Sequence, residues 1–244
     1  MPEGHTIHRL AAEHGRLFAG RPARVTSPQG RFGDAAAVDG AVLVSTDAWG
    51  KHLFHEYEGD RIVHVHLGLY GKFTTHELPA PPPRETCRMR VVGADAAVDL
   101  IGATCCELLD ATGKAAVVAR LGPDPLRKDA DPGRAWRALQ RRRIGIGQAL
   151  LDQTVVAGVG NVYRAEALKA HGIHPLQPAS SLTEDEWKAL WKTLVRLLRK
   201  GVREGRISGR SIYKQDACET CGGPIRRWEL AGRWAYACEA CQPL

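Results

Sequence analysis

The chain reads as an α+β protein of two domains, on three observations. Residues 21–109 hold short apolar runs broken by Gly and Pro, the texture of antiparallel strands. From residue 135 onward apolar positions recur at helical spacing. Four cysteines then stand near the carboxyl terminus as Cys218-x2-Cys221 and Cys238-x2-Cys241, the spacing of a structural zinc site. At 244 residues with 44% hydrophobic content, the chain can bury one large core or two small ones.

The elements follow in order. Ile7, Leu10, Ala11 and Leu17 predict an amino-terminal helix over residues 3–18. Runs at 41–45, 52–57, 61–66 and 87–92 predict strands of an antiparallel sandwich or barrel. Pro79, Pro81, Pro82 and Pro83 fix a loop, because proline locks φ and lacks a donor. The turn-rich stretch 122–133 reads as a linker, which separates a domain at 1–121 from a helical domain at 134–212. Helices are expected at 135–143, 147–153, 162–171 and 183–201. Thr183-x-x-Glu186 is a capping box, and Trp187, Leu190, Trp191, Leu194 and Leu198 form one apolar face behind it. Residues 213–244 would be two short strands around the metal. No internal repeat is present.

Composition excludes several classes. No apolar run approaches the length of a membrane span, and MPEGHTIHRL lacks the apolar centre of a secretory signal. Seven cysteines, an odd number, fit a reducing compartment such as the cytoplasm. Four of them would make one closed metal shell that holds a fold and does no chemistry; two disulfides or four unrelated thiols are the alternative. Cys87, Cys105 and Cys106 remain as free thiols, read as small buried apolar residues. Net charge is +7, with basic residues gathered at 141–143, 196–210 and 226–233. A basic carboxyl-terminal half beside a zinc module suits a polyanion, most simply nucleic acid. The bland reading of the same charge is a solvated helix face.

Three segments carry candidate chemistry. If Met1 is removed, Pro2 presents a secondary amine; an α-amine has a pKa of about 8, so part of it is unprotonated at neutral pH and can attack carbon. Glu3 beside it could move protons, or both residues could simply start a helix. Lys51, after Gly50 and before a β run, could offer an ammonium to phosphate or act as an edge lysine. In residues 150–166, Gly158 and Gly160 permit close backbone approach, and Asn161 would cap a helix whose free N–H groups suit a phosphate. A plain αα-hairpin is the alternative for that segment.

MPEGH, GKH, LLDQTVVAGVGNVYRAEAL and the CxxCGGxI…R…CxxCQ ending occur in this order across essentially the whole chain. In that set the chain resembles the formamidopyrimidine-DNA glycosylase/endonuclease VIII family of bifunctional repair enzymes. The resemblance implies a helix on a β-sandwich, then a helical domain with a helix–two-turns–helix motif and a zinc β-hairpin. It implies Pro2 as nucleophile at C1′ of a damaged nucleotide, with Glu3 as acid–base and Lys51 on phosphate. It implies DNA contacts from His66, Asn161, Glu166 and Arg233, with Leu69 and Tyr70, which on their own read as strand-end core residues, entering the gap left by an everted base. It implies damaged DNA as partner, one structural zinc ion, no small-molecule cofactor, a monomer, and a place in the cytoplasm at the nucleoid. Base loss would be followed by β/δ-elimination and strand cutting.

Three departures bear on specificity. Asp99-Leu100-Ile101-Gly102 stands where the guanine-oxidation branch carries an Arg-Phe wedge, few residues separate Gly205 from Tyr213, and Gly68 replaces a glutamine of some members. The first two favour oxidised pyrimidines and the endonuclease VIII-like branch. Competing expectations are a non-catalytic protein that binds damaged DNA, and a zinc-ribbon adaptor for protein or RNA.

Overall fold

The computed structural model describes residues 2–244; Met1, whose removal the amine chemistry requires, lies outside the described residues. Two compact units result: Pro2 with Thr6–Arg120, and Glu3–His5 with Leu121–Leu244. The antiparallel sheets and helices of an α+β fold are both present.

In the first unit the order is α1 (Gly4–Phe18), β1 (Arg24–Thr26), α2 (Ala35–Val38), β2 (Leu43–Trp49), β3 (His52–Tyr57), β4 (Arg61–His66), β5 (Lys72–Glu77), β6 (Cys87–Val92), β7 (Ala96–Ile101), β8 (Cys105–Leu109) and α3 (Ala111–Ala119). The strands form two four-stranded antiparallel sheets, β1-β6-β7-β5 and β2-β3-β4-β8. Val25, Met89, Val91, Val98 and Leu100 of one sheet meet Leu43, Leu53, Val63 and Val65 of the other in a single core. The α1 residues Ile7, Leu10, Ala11 and Phe18 close that core, as helical spacing requires.

β3, β4 and β6 have the expected bounds. β2 runs on to Trp49 rather than ending at 45; Ser45 and Thr46 hid it by being polar, yet they bond Glu56 and the Ala11 carbonyl at 2.6 Å each. β5 shows no apolar alternation because it is a largely exposed edge strand. α3 was masked by Gly113 and by the β-branched Val117-Val118 pair. Its cap is Asp110, which accepts from Gly113 N–H at 2.7 Å, and Val117 packs on Phe54 and Ile62.

In the second unit the stretch 122–133 is not a tether. Gly122, Pro123, Asp124 and Pro125 are buried, and the Pro123 carbonyl accepts from Ala157 N–H at 3.0 Å. Gly and Pro mark turns, and a turn can be packed as well as solvated. α4 (Pro132–Gln140) already begins inside the stretch, with Asp131 as cap and Pro132 in the first turn. α5 (Ile146–Ala149) is only four residues long, shorter than the expected 147–153. α6 (Asn161–Ala170) and α7 (Glu184–Glu204) follow, α7 with the full Thr183–Glu186 capping box and Trp187, Leu190, Leu194 and Leu198 buried. β9 (Ile225–Leu230) and β10 (Arg233–Cys238) form the terminal hairpin, whose Tyr236 and Cys238 pack with Ala165 of α6 and Ile212. Among the described residues no helix is long and apolar enough to cross a membrane.

The first core contains a buried histidine pair. His14 Nδ1 lies 2.9 Å from His55 Nε2, and the other two ring nitrogens are buried without a hydrogen-bond partner. Burial lowers His14 to about 3 and His55 well below its ordinary 6.5. Below that value the unfolded chain takes up protons that the folded protein refuses, so stability falls as pH drops from about 6.5 toward 3. Urea midpoints measured at pH 7.5, 6.5 and 5.5 are expected to fall toward acid before most carboxylates titrate (about pH 4). A flat profile across that range would contradict the neutral pair.

Candidate functional site

An isolated helix leaves its first N–H groups without partners. α6 has no side-chain cap from its own neighbours. Its partner is Glu3: Oε2 accepts from Gly160 N–H and Oε1 from Val162 N–H, each at 3.0 Å. The carboxylate is fully buried there, at the positive end of the helix dipole. Gly160 must lack a side chain, because a Cβ would collide with Glu3 Cδ and Cγ. Gly4 N–H donates to the Gly158 carbonyl at 2.8 Å, and a Cβ on Gly4 would come within 2.9 Å of Gly158 Cα. Gly158 itself has φ +87°, the left-handed region that favours glycine.

These contacts correct two expectations. The N-cap is Gly160, and Asn161 is the first helical residue. The anion at this helix start is the chain's own Glu3, so the glycines accommodate residues 3 and 4. Gln153 steadies the turn: its Oε1 accepts from Gly158 N–H at 3.0 Å, while Nε2 donates to the Leu151 and Val159 carbonyls.

Asn161 faces the terminal hairpin. Its Nδ2 donates to the Trp234 carbonyl at 3.0 Å, and its Oδ1 accepts from Arg164. Arg164 also donates to the Trp234 carbonyl at 2.8 Å and to the Gly147 carbonyl at 3.3 Å. Burial lowers the Arg164 guanidinium to about 10 and nearby Glu3 opposes that, so it is cationic at neutral pH. Arg233 is exposed beside the two-residue turn Ala231-Gly232, where both residues have positive φ and β10 leaves the tip. Sequence reasoning missed Arg164 and Gln153; their only signal was a polar side chain among the apolar and glycine residues of LLDQTVVAGVGNVYRAEAL.

Glu166 is buried and saturated. It accepts from Ser211 N–H at 2.8 Å, Ser211 Oγ at 2.7 Å, Ile212 N–H at 3.2 Å and Tyr213 N–H at 2.9 Å. Its carboxylate thus shapes the short segment after α7, which ends at Gly205 with φ +67°.

The first unit holds the remaining candidates. Gly50 and Lys51 form the two-residue turn joining Trp49 and His52, with Gly50 at φ +60°. Lys51 is close enough to His66 to help depress its pKa, after the larger effect of burial. His66 Nδ1 lies 3.0 Å from Thr104 Oγ1. Leu69 and Tyr70 stand in the turn after β4 and are 39% and 83% exposed, so a core role is excluded. Gly68, at φ +66°, has no room for a side chain against Thr104. Asp99 to Ile101 belong to β7, and only Gly102–Thr104 link it to β8. Pro2 is half-buried and Glu3 follows it directly.

The four terminal cysteines converge as a group that could hold a metal ion. Cys218 and Cys241 sulfurs are 3.8 Å apart, and those of Cys221 and Cys238 are 3.5 Å apart. A tetrahedron with bonds of about 2.3 Å has edges of about 3.8 Å, so the residues fit zinc. The other free thiols differ: Cys87 and Cys106 are buried, whereas Cys105 is only partly so.

Two family models match the chain. The formamidopyrimidine-DNA glycosylase N-terminal domain covers residues 1–100, and the formamidopyrimidine-DNA glycosylase H2TH domain covers residues 121–212. Endonuclease 8 1 of Mycobacterium tuberculosis is 49% identical over 267 aligned positions, covering 99% of this chain and 100% of that protein. A formamidopyrimidine-DNA glycosylase of Thermomicrobium roseum is 31% identical, over 83% of this chain and 82% of its own. The solved structure of the Lactococcus lactis formamidopyrimidine-DNA glycosylase bound non-covalently to DNA containing an AP site has a TM-score of 0.86. At 24% identity, over 99% of this chain and 100% of that one, this is a likeness of fold.

Glu166→Gln replaces an acceptor-only carboxylate by an amide with half its acceptors. Leaving buried N–H groups of residues 211–213 unsatisfied is expected to cost about 1–3 kcal/mol. Urea unfolding should show that loss, and hydrogen exchange should accelerate first at Ile212 and Tyr213; unchanged exchange there would remove the anchoring role.

Proposed function

This chain belongs to the formamidopyrimidine-DNA glycosylase/endonuclease VIII family of DNA repair glycosylases, and we propose that it excises oxidised pyrimidines and then cuts the strand through an imine on Pro2. The reading is carried by one observation: Glu3, adjacent to Pro2, is buried and held by two backbone N–H groups at the start of α6. A carboxylate fixed in this way is expensive to bury and has one orientation, as proton-transfer geometry demands.

The chemistry balances on these residues. The free Pro2 nitrogen attacks C1′ of the damaged nucleotide, and the base leaves with its bonding pair and takes a solvent proton. Glu3 accepts the proton from the Pro2 nitrogen and delivers it to O4′, which opens the sugar and leaves an iminium ion. The iminium acidifies the C2′ proton; its loss expels the 3′-phosphate, and a second elimination expels the 5′-phosphate. Lys51 and His66 take up phosphate on the first unit, and on the second Arg233 does so together with the second amide N–H of Asn161, whose first holds the Trp234 carbonyl. Leu69 and Tyr70 occupy the stack position vacated by the damaged base, offsetting an unstacking cost of a few kcal/mol. Glu166 acts by fixing residues 211–213 near the damaged nucleotide. The short β7–β8 link and the short segment after Gly205 support the pyrimidine preference. The protein would act as a monomer on damaged DNA at the nucleoid, with zinc on Cys218, Cys221, Cys238 and Cys241. That ion supplies structure alone, and no small-molecule cofactor is required.

Incubation with a thymine-glycol or abasic duplex and borohydride is expected to trap one covalent adduct per chain, on Pro2 of protein lacking Met1. Glu3→Gln should slow formation of that trapped adduct by about 10²–10⁴-fold, the usual contribution of a general acid–base. Specific binding to the lesion with no adduct under any condition would make the protein a non-catalytic binder of damaged DNA instead.

Chelation of the metal should unfold the β9–β10 hairpin. Filter binding should then show lower affinity for intact and damaged duplexes alike. Full affinity after complete metal removal would detach the hairpin from DNA binding.

A further inference from the structure

We propose a second metal site in this protein, formed by His64, Cys105 and Glu107 on the outer face of the β2-β3-β4-β8 sheet and suited to zinc or a similar divalent cation. Strand register brings the three together. β4 and β8 pair so that His64 stands opposite Glu107 and His66 opposite Cys105. Alternation then puts Cys105 and Glu107, two residues apart, on the same face as His64. The core-facing residues of these strands, Val63, Val65 and Cys106, belong to the opposite face.

The distances suit one ion. His64 Nδ1 lies 2.9 Å from Glu107 Oε1 and 3.7 Å from Cys105 Sγ. One donor atom from each of the three residues lies within 4.8 Å of the others. Tetrahedral bonds of about 2.0 Å to nitrogen and oxygen and 2.3 Å to sulfur give N···S near 3.5 Å and N···O near 3.3 Å. Shifts of a few tenths of an ångström bring both His64 separations to these values.

The donor set is the one zinc accepts: an imidazole, a thiolate and a carboxylate. Burial lowers the His64 pKa, which favours the neutral ring that a cation needs. The hydrogen bond from His64 holds the Glu107 carboxyl below the usual range, so it is ionised. Burial, and then Glu107, push the Cys105 thiol up to about 11, so the thiol keeps its proton until a cation arrives. Binding forms the metal–sulfur bond and releases that proton to water, and the two anionic ligands then neutralise a divalent ion. Glu107 is about half exposed, on the solvent side, which leaves the fourth position to water.

His52 completes the arrangement behind the ligand. Its Nδ1 lies 2.8 Å from His64 Nε2, with the two rings stacked. A metal on His64 Nδ1 fixes the proton on Nε2, where it donates to His52; a second hydrogen bond of this kind orients most metal-bound histidines.

The test is metal content of the full chain equilibrated with excess zinc and freed of loosely held ions. About two zinc ions per chain are expected, falling to about one in Cys105→Ala and in His64→Ala, since the four-cysteine cluster keeps its own. Cobalt supplied as the second equivalent should give a thiolate-to-metal charge-transfer band that Cys105→Ala abolishes. One zinc ion per wild-type chain, a second ion that survives both substitutions, or no cobalt–thiolate band would overturn the proposal.

Discussion

The carboxylate of Glu3 on the first N–H groups of α6 is the constraint from which much of the second unit follows. A buried carboxylate costs several kcal/mol unless its surroundings replace water. Here two charge-assisted hydrogen bonds, the positive end of the helix and the nearby Arg164 guanidinium do so. The arrangement demands absence as much as presence. Gly160 has no side chain because Glu3 fills its space, and Gly201 has none because Tyr163 and His5 fill its own. Pro2 inherits the result, since its Cα lies about 3.8 Å from that of a residue whose carboxylate is held by two backbone N–H groups.

Much of the fold was legible where one strand or helix carried its own signal. β3, β4 and β6 alternate or run apolar between turn residues, and α7 announces itself by a capping box and an apolar stripe. Legibility failed where partners lie far along the chain. β5 has too few apolar residues to be read alone, and it exists because β7 lends it a ladder. α3 carries Thr112, Gly113 and the β-branched Val117-Val118 pair among its alanines, but Lys114 reaches Asp47 at 2.7 Å and Glu56 at 2.5 Å, and Val117 reaches Phe54. The Gly- and Pro-rich stretch 122–133 looked like a tether because composition reports backbone shape and not burial.

The site divides in the same way. Leu69 and Tyr70 read in isolation as core residues, yet they are exposed, and an exposed apolar pair at a turn tip asks for a partner. The cysteine spacing was sufficient for the metal cluster because ligand geometry is local to each pair. The cap of α6 was misassigned to Asn161 since local rules favour a polar side chain at the boundary. The true partner comes from 157 residues away, and no local rule could propose it.

α6 therefore integrates what the sequence scatters. Within ten residues it receives Glu3 at its first turn, holds the Trp234 carbonyl through Asn161 and Arg164, and fixes residues 211–213 through Glu166. Asn161 and Arg164 are three residues apart, so helical periodicity gives them one face and one target. Glu3 and the hairpin are thus tied to the same turn of the same helix. A metal that orders the hairpin also removes freedom from the Trp234 carbonyl, and with it from the two side chains at the seat of Glu3. Loss of a metal from the four cysteines would then be felt at Glu3 through packing and hydrogen bonds.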